Sequence, residues 1–161
     1  MTSAARVGIV MGSASDKPVM QHAADTLTGL GIASDMRVLS AHRTPDALRD
    51  WVIEAEMRGV RVFIAGAGAA AHLPGVVASI TPRPVIGVPL VAPNAIANGL
   101  DALLSIVQMP RGIPVATVAI GEAGAANAGI LAAQILAIDD DALAGRVKML
   151  REGMAAKVLA G

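Results

Sequence analysis

Three observations predict an α/β protein built on a doubly wound parallel sheet. Strand-like and helix-like segments alternate along the whole chain, the strand-like runs are almost continuously apolar, and Gly- and Ser-rich loops follow the first three of them. Strands that are apolar on both sides are covered on both faces, which is the condition of a parallel sheet carrying helices above and below. The chain has 161 residues, enough for one domain and short for two, since a domain of about 150 residues already buries roughly 70% of its surface. No repeat, low-complexity linker or shift in composition marks a second domain, so residues 1–161 are read as one.

Arg6–Met11 is the first predicted strand. A helix follows over Asp16–Leu30, with Val19, Met20, Ala23, Ala24, Leu27 and Leu30 on one face. Pro18 in its first turn and Gly29 and Gly31 at its end are start and stop signals. Met36–Leu39 is the second strand. Thr44-Pro45-Asp46 reads as a cap, a first helical residue and an acid near the positive end of the helix dipole. Leu48, Trp51, Val52 and Ala55 form the inner face of that helix, and Gly59 ends it. Val60–Ala65 is the third strand, Leu73–Ile80 a short helix and Pro84–Val88 the fourth strand. Pro89 to Leu100 reads as a loop, Asp101–Val107 as a helix, and Ile113–Ile120 as the fifth strand. Helices over Glu122–Ile138 and Asp141–Leu159 complete the chain.

Charge is unevenly distributed. Residues 1–61 carry 14 charged side chains and residues 122–161 carry nine, but residues 62–121 carry only Arg83, Asp101 and Arg111. Such a segment suits a membrane, a buried sheet or a subunit interface. The uncharged stretch Val62–Pro82 has the length of a membrane span. It also holds Gly66, Gly68, Pro74, Gly75 and Pro82, which break it into pieces whose backbone lipid would leave unpaired. Met1 to Arg6 lacks the apolar run of a signal peptide, so the expected location is the cytoplasm with no membrane association. The segment Ala123–Ile138 carries no charge and only Asn127 and Gln134 as polar side chains. A helix apolar all round is buried all round, and one small subunit has little room for that, so a homo-oligomer is expected.

Composition removes several function classes. Thirteen basic and 13 acidic residues leave no basic stripe for nucleic acid. The absence of Cys removes disulfides, thiolate zinc sites and Cys nucleophiles. Trp51 and Phe63 are the only aromatic residues apart from histidine, and both lie inside predicted regular elements, where they cannot flank a flavin. A phosphorelay receiver needs an Asp ending the third strand, near where Gly66 stands. The three histidines, His22, His42 and His72, are too few for a His-rich metal centre. Asp139-Asp140-Asp141 reads as a helix start and His22 as a surface residue.

In open α/β sheets ligands bind beyond the carboxyl ends of the strands, and three loops there carry candidate chemistry. Gly12-Ser13-Ala14-Ser15-Asp16 offers backbone N–H groups and the Ser13 and Ser15 hydroxyls at a helix start, a cradle for phosphate. Asp16 supplies an acceptor suited to a ribose diol; simple helix capping by Ser15 and Asp16 is the competing reading. In Ser40-Ala41-His42-Arg43-Thr44, an Arg at a helix start opposes the dipole and is better explained by an anionic ligand that it can fork onto. His42 has a proton to move near neutral pH. Gly66-Ala67-Gly68-Ala69-Ala70-Ala71-His72 fits G-x-G-x-x-A, yet it follows the third strand instead of opening the fold. Its glycines are read as close backbone approach to a small ligand or a neighbouring loop, with His72 either in the same cluster or at an interface.

The segments VGIVMGSASD (7–16), LSAHRTPDAL (39–48), IAGAGAAAHLPG (64–75) and LLSIVQMPRGIPVATVAIGEAGAANAG (103–129) identify a resemblance over nearly the whole chain. The sequence resembles the N5-carboxyaminoimidazole ribonucleotide mutases of purine biosynthesis. The resemblance implies a flavodoxin-like three-layer sandwich with a five-stranded sheet, assembled as a homo-octamer with sites near subunit interfaces. It implies transfer of a carboxylate from N5 to C4 of the ribonucleotide, with no metal, nucleotide or organic cofactor and with CO2 held in the site. By this resemblance Ser13, Asp16 and Arg43 bind the ribose-5-phosphate portion, with Gly12, Ser15 and Ser40 close by. His42 transfers the proton and His72 lines the base and carboxylate end. On physical grounds a dry pocket lined by the 66–71 backbone would keep CO2 from escaping, with Gly68, Ala69 and Ala70 as candidate substrate-binding residues. The helix at 141–159 is expected to pack on or across subunits. Three departures stand out against the family pattern: Ala69 replaces a common Gly, Lys17 a common Trp, and the Pro89–Asp101 loop is two residues longer. A related carboxylase using free CO2, or a non-catalytic ribonucleotide-binding module, are the alternative functions.

Overall fold

The computed structural model describes residues 4–161; the Met1–Ser3 part of the N-terminal reading lies outside the described residues. Five strands, β1 (Val7–Met11), β2 (Ser34–Val38), β3 (Val62–Gly68), β4 (Val85–Leu90) and β5 (Ala116–Thr117), form one parallel sheet in the order β2-β1-β3-β4-β5. The helices are α1 (Lys17–Gly29), α2 (Pro45–Met57), α3 (Leu73–Ile80), α4 (Leu100–Val107), α5 (Gly121–Leu136) and α6 (Asp141–Leu159). This is the doubly wound, flavodoxin-like sandwich expected, and the uncharged Val62–Pro82 stretch resolves into β3 and α3 within it.

Alternation along the strands divides the core in two. Val7, Ile9 and Met11 of β1 face α1, α5 and the first half of α6, packing with Met20, Leu27, Ala128 and Leu143. Val10 points the other way, toward α2, α3 and α4, with Leu48, Phe63, Val77 and Ile106. Trp51 and Phe63 meet edge to face at 5.6 Å. Gly8 makes room for the pair, since a Cβ there would sit 2.8 Å from Phe63 Cδ1. The Trp51 indole N–H donates to Asp35 Oδ2 at 3.1 Å. Gly66 performs the same service on the other face, where any Cβ would collide with the Met20 side chain of α1.

Several boundaries differ from the sequence expectation, each for a local reason. Val60 belongs to the turn that closes α2, because its N–H donates back to Ala55 O at 3.0 Å; β3 instead runs on to Gly68, which pairs with Leu90. Strand β4 accordingly extends two residues into the expected loop. Pro89 is tolerated there because the β4–β5 pairing ends at Gly87. The expected fifth strand shrinks to Ala116–Thr117, since Pro114 has no N–H to pair and Ile113 N–H is turned back to Pro110 O at 3.3 Å. Strand β2 begins at Ser34, two residues early, in register with Val7.

Helix α5 buries Gly124, Ala125, Ala128, Gly129, Ala132, Ala133 and Leu136, and its small residues let it lie close on α1. Gly129 approaches so closely that a Cβ would stand 2.9 Å from Ala23 O. Within the protomer the burial is one-sided, as the limited room of a single small subunit leads one to expect: Asn127 is exposed and Ala126, Ile130 and Leu131 are half-buried. Helix α6 starts as expected, with Asp140 accepting from Leu143 N–H at 3.0 Å and pairing with Arg6 at 3.1 Å. Beyond Leu150 every residue of α6 is exposed.

Candidate active site

The sheet order reverses between β1 and β3, and the crevice beyond the carboxyl ends of these strands is where this architecture places ligands. A cavity of about 230 Å³ opens there, lined by Gly12, Ser13, Ser15, Asp16, Ser40, His42, Arg43, Gly68, Ala70 and His72, with Ala41, Ala67, Leu73, Ala92 and Pro93. Three loops far apart in sequence therefore meet at one place.

The first loop turns sharply after β1. Ser13 Oγ accepts from Ser15 N–H at 3.3 Å and from the Ser15 hydroxyl at 2.8 Å, while Asp16 N–H donates to Ser13 O at 3.1 Å. Asp16 makes no side-chain capping bond to α1 and lines the cavity. Burial raises the Asp16 carboxyl above its ordinary 3.8, opposed by hydrogen bonding at Ser13 and Ser15 and by the Arg43 guanidinium.

The second loop carries His42 and Arg43 on one dipeptide. Ser40, nearly buried, turns its hydroxyl inward and accepts from His42 N–H at 3.3 Å and from Arg43 N–H at 3.2 Å. The Arg43 Nε–H reaches the same oxygen at 3.4 Å, and its NH2 group donates to Gly12 O at 2.7 Å. Arg43 is thus stretched from the second loop to the first and lines the same cavity as Ser13 and Ser15.

The third loop leaves β3 at Gly68, where a Cβ would lie 3.0 Å from Ala92 Cβ and 3.1 Å from Leu90 O. That close approach makes the end of β4 part of the cavity wall. Ala69 is left-handed, with φ of +52°, and two tight turns follow: Ala71 N–H to Ala69 O at 2.8 Å and His72 N–H to Ala70 O at 2.7 Å. They deliver His72 to His42, with Nδ1 of one ring 2.9 Å from Nε2 of the other.

Ten of the eleven candidate residues thus converge. Ala69 is not among the lining residues; it stands between Gly68 and Ala70, which are, with its backbone left-handed. Lys17 faces a separate cleft with Gln21 and Arg37. His22 is exposed and lies 3.7 Å from Glu122, as a surface residue would. Ala92 and Pro93 were not anticipated; their loop follows a strand at the same end of the sheet, which was the available signal. That loop also holds left-handed Ala97 and Asn98, at φ of +48° and +54°.

In chemical terms the cavity offers an anion cradle, one fixed cation, a carboxylate for hydroxyls and an imidazole pair. Comparison with known proteins gives the same direction. The family described as AIR carboxylase matches residues 6–157. N5-carboxyaminoimidazole ribonucleotide mutases of Vibrio parahaemolyticus and Bacillus subtilis are each 54% identical, covering 96% and 95% of this chain and 95% and 93% of theirs. The mutase of Thermotoga maritima is 57% identical over 96% of this chain and 88% of its own. A crystal structure of Treponema denticola PurE superposes with a TM-score of 0.85 at 32% identity, covering 96% of this chain and 94% of that one. The chain belongs to the AIR carboxylase family.

Proposed function

We propose that the protein converts N5-carboxyaminoimidazole ribonucleotide to 4-carboxy-5-aminoimidazole ribonucleotide in purine biosynthesis, as an isomerase that moves one carboxylate within its substrate. The observation that carries this reading is the placing of His42 next to Arg43. One dipeptide supplies a proton-transfer group and a phosphate partner to a single cavity, with Arg43 reaching Gly12 of the first loop and His42 reaching His72 of the third. A binding module would have use for Ser13, Asp16 and Arg43 but none for an imidazole presented in this way.

The chemistry follows from what these groups can do. The Ser13–Asp16 loop and Arg43 hold the ribose 5-phosphate, fixing the aminoimidazole against His42. Protonated His42 gives its proton to the carbamate nitrogen N5 as the N5–carboxylate bond breaks, releasing CO2 and leaving neutral aminoimidazole ribonucleotide. Ring C4 attacks the same CO2 while the wall around Gly68 and Ala70 retains it. Neutral His42 then removes the C4 proton and regains its starting form. Atoms and charge balance without a co-reactant, and a group acting as acid and then base works best when it titrates near the operating pH. Retaining CO2 makes recapture intramolecular, the main rate advantage open to this site.

The same reading places the protein in the cytoplasm as a homo-octamer. The half-buried face of α5 and the exposed second half of α6 support contact between copies. No nucleic acid or membrane partner is proposed.

The test offers purified protein two substrates. C4-carboxylated product from the N5-carboxylated ribonucleotide at low bicarbonate supports the mutase. Product only from aminoimidazole ribonucleotide with added bicarbonate replaces it with a carboxylase, and no product from either leaves a binding module.

A further inference from the structure

Thr44 stands immediately before α2, at φ of −137° and ψ of 52°, where the sequence pattern predicts a helix cap. Its backbone behaves accordingly, since Thr44 O accepts the first helical bond from Leu48 N–H at 3.0 Å. Its hydroxyl does not: the Thr44 side chain makes no capping bond to the helix. It reaches back to Ser40 instead, where Oγ1 accepts from Ser40 N–H at 2.9 Å and donates to Ser40 O at 3.2 Å. Thr44 N–H donates to the same Ser40 O at 3.0 Å. One side chain therefore engages both backbone groups of Ser40.

Ser40 in turn holds the reacting dipeptide. Its hydroxyl oxygen accepts from His42 N–H, Arg43 N–H and Arg43 Nε–H at 3.2 to 3.4 Å. These are long, shared bonds, so their combined direction depends on where the Ser40 Cα–Cβ vector points. The backbone plane set by Thr44 fixes that vector. The hydroxyl proton of Ser40 has no protein acceptor among the described residues, leaving it free for a ligand oxygen.

We infer that Thr44 is a positioning residue, whose hydroxyl clamps Ser40 so that His42 and Arg43 are held together in the geometry for proton transfer and phosphate binding. It acts through Ser40 and has no contact of its own with the reacting atoms. The α2 start thereby ties the placement of His42 and of Arg43 to one element, so that loss of the clamp affects turnover and binding at once. A displacement of about 1 Å in such a site can cost about 100-fold in rate. The inference rests on the proposed function for its kinetic readout, but not for its structural one.

Three variants separate a clamp from a cap. Thr44→Val keeps the shape and removes the hydroxyl. Thr44→Ser keeps the hydroxyl. Thr44→Asn is as good an N-cap as Thr but splits acceptor and donor over two atoms one bond further out, so that the bonding of Ser40 N–H and Ser40 O by a single oxygen is lost. The inference expects Thr44→Val and Thr44→Asn to lower kcat by about tenfold or more and to raise KM, with Thr44→Ser restoring both. Thermal denaturation shows which variants keep the fold, and Asn is expected to match the wild type there. Amide hydrogen exchange at His42 and Arg43 reads the clamp without any turnover and is expected to accelerate in Val and Asn but not in Ser. Failure of the wild type to turn over N5-carboxyaminoimidazole ribonucleotide would overturn the proposed function and leave the exchange result to decide on Thr44. Wild-type kcat in the Asn variant, or unchanged exchange at His42 and Arg43 in the Val variant, would overturn the clamp and leave Thr44 as a helix cap.

Discussion

His42 Nε2 lies 2.9 Å from His72 Nδ1, with the two rings nearly perpendicular at 85° and their centroids 5.0 Å apart. A contact this short needs one N–H between the two nitrogens, so it holds when one ring donates and the other accepts. It is lost when both are protonated, because two donors then face each other. His72 thereby biases the tautomer and the ring orientation of His42, joining the third loop to the second.

This relationship sets the expected size of a His72 effect. Replacing His72 by Asn removes one neutral hydrogen bond, which is worth about 0.5–1.5 kcal/mol, or about two- to tenfold in rate. Steady-state turnover of the variant is expected to fall within that range. A loss as complete as that caused by removing His42 would mean that His72 itself moves a proton.

Gly68 tests the wall shared by β3 and the loop after β4. A methyl at this position meets Ala92 Cβ at 3.0 Å and two backbone atoms, Leu90 O and Ala92 N, at 3.1 and 3.2 Å. Backbone yields less readily than a flexible side chain, so Gly68→Ala is expected to destabilise the protein by about 1–3 kcal/mol. It should also reduce turnover by shifting Ala92 and Pro93. Chemical denaturation and steady-state kinetics on the same preparation measure both.

Ala69 makes the opposite prediction. An L-residue at φ of +52° carries strain that Gly does not, and Ala69 is not among the residues lining the cavity. Ala69→Gly is expected to stabilise the protein by about 1 kcal/mol, seen as a rise in Tm of about 2–4 °C, with turnover close to wild type. A large change in turnover would return the methyl to the pocket.

Asp16 links the site to pH. Its carboxyl is raised above 3.8, chiefly by burial. Between that ordinary value and the raised one, the folded state binds more protons than the unfolded state, so stability falls as pH rises through this window. Above it, ionised Asp16 is a standing cost of the fold. Asp16→Asn is therefore expected to raise Tm at pH 7, with the gain shrinking as pH is lowered toward 3.8, while ribonucleotide affinity falls. Calorimetric scans across pH and a binding titration check the two halves separately.

The sheet and its helices were legible because their signals are local and periodic. The Met20–Leu27 face of α1, the Pro45 start of α2 and the limits of α3 and α6 match the expectation closely. The candidate site was legible because this topology brings the first three βα loops to one crevice. What escaped depends on long-range placement. The run Ile113–Ile120 has strand composition, but only two of its residues find a partner. Thr44 has the composition of a cap, yet its hydroxyl is engaged by Ser40. Ala69 hides its left-handed backbone behind an ordinary residue type, the only signal being the Gly it replaces in the family pattern, and the contribution of Ala92 and Pro93 follows from the approach of Gly68, which only the folded chain reveals.

The central claim is that His42 moves the proton while Arg43 and the Ser13–Asp16 loop hold the ribonucleotide. Replacing His42 by Asn and measuring turnover and ribonucleotide binding on the same protein tests it most directly. Turnover is expected to be lost while calorimetric affinity for aminoimidazole ribonucleotide stays within a few-fold of wild type. Near-normal turnover in His42→Asn would contradict the account.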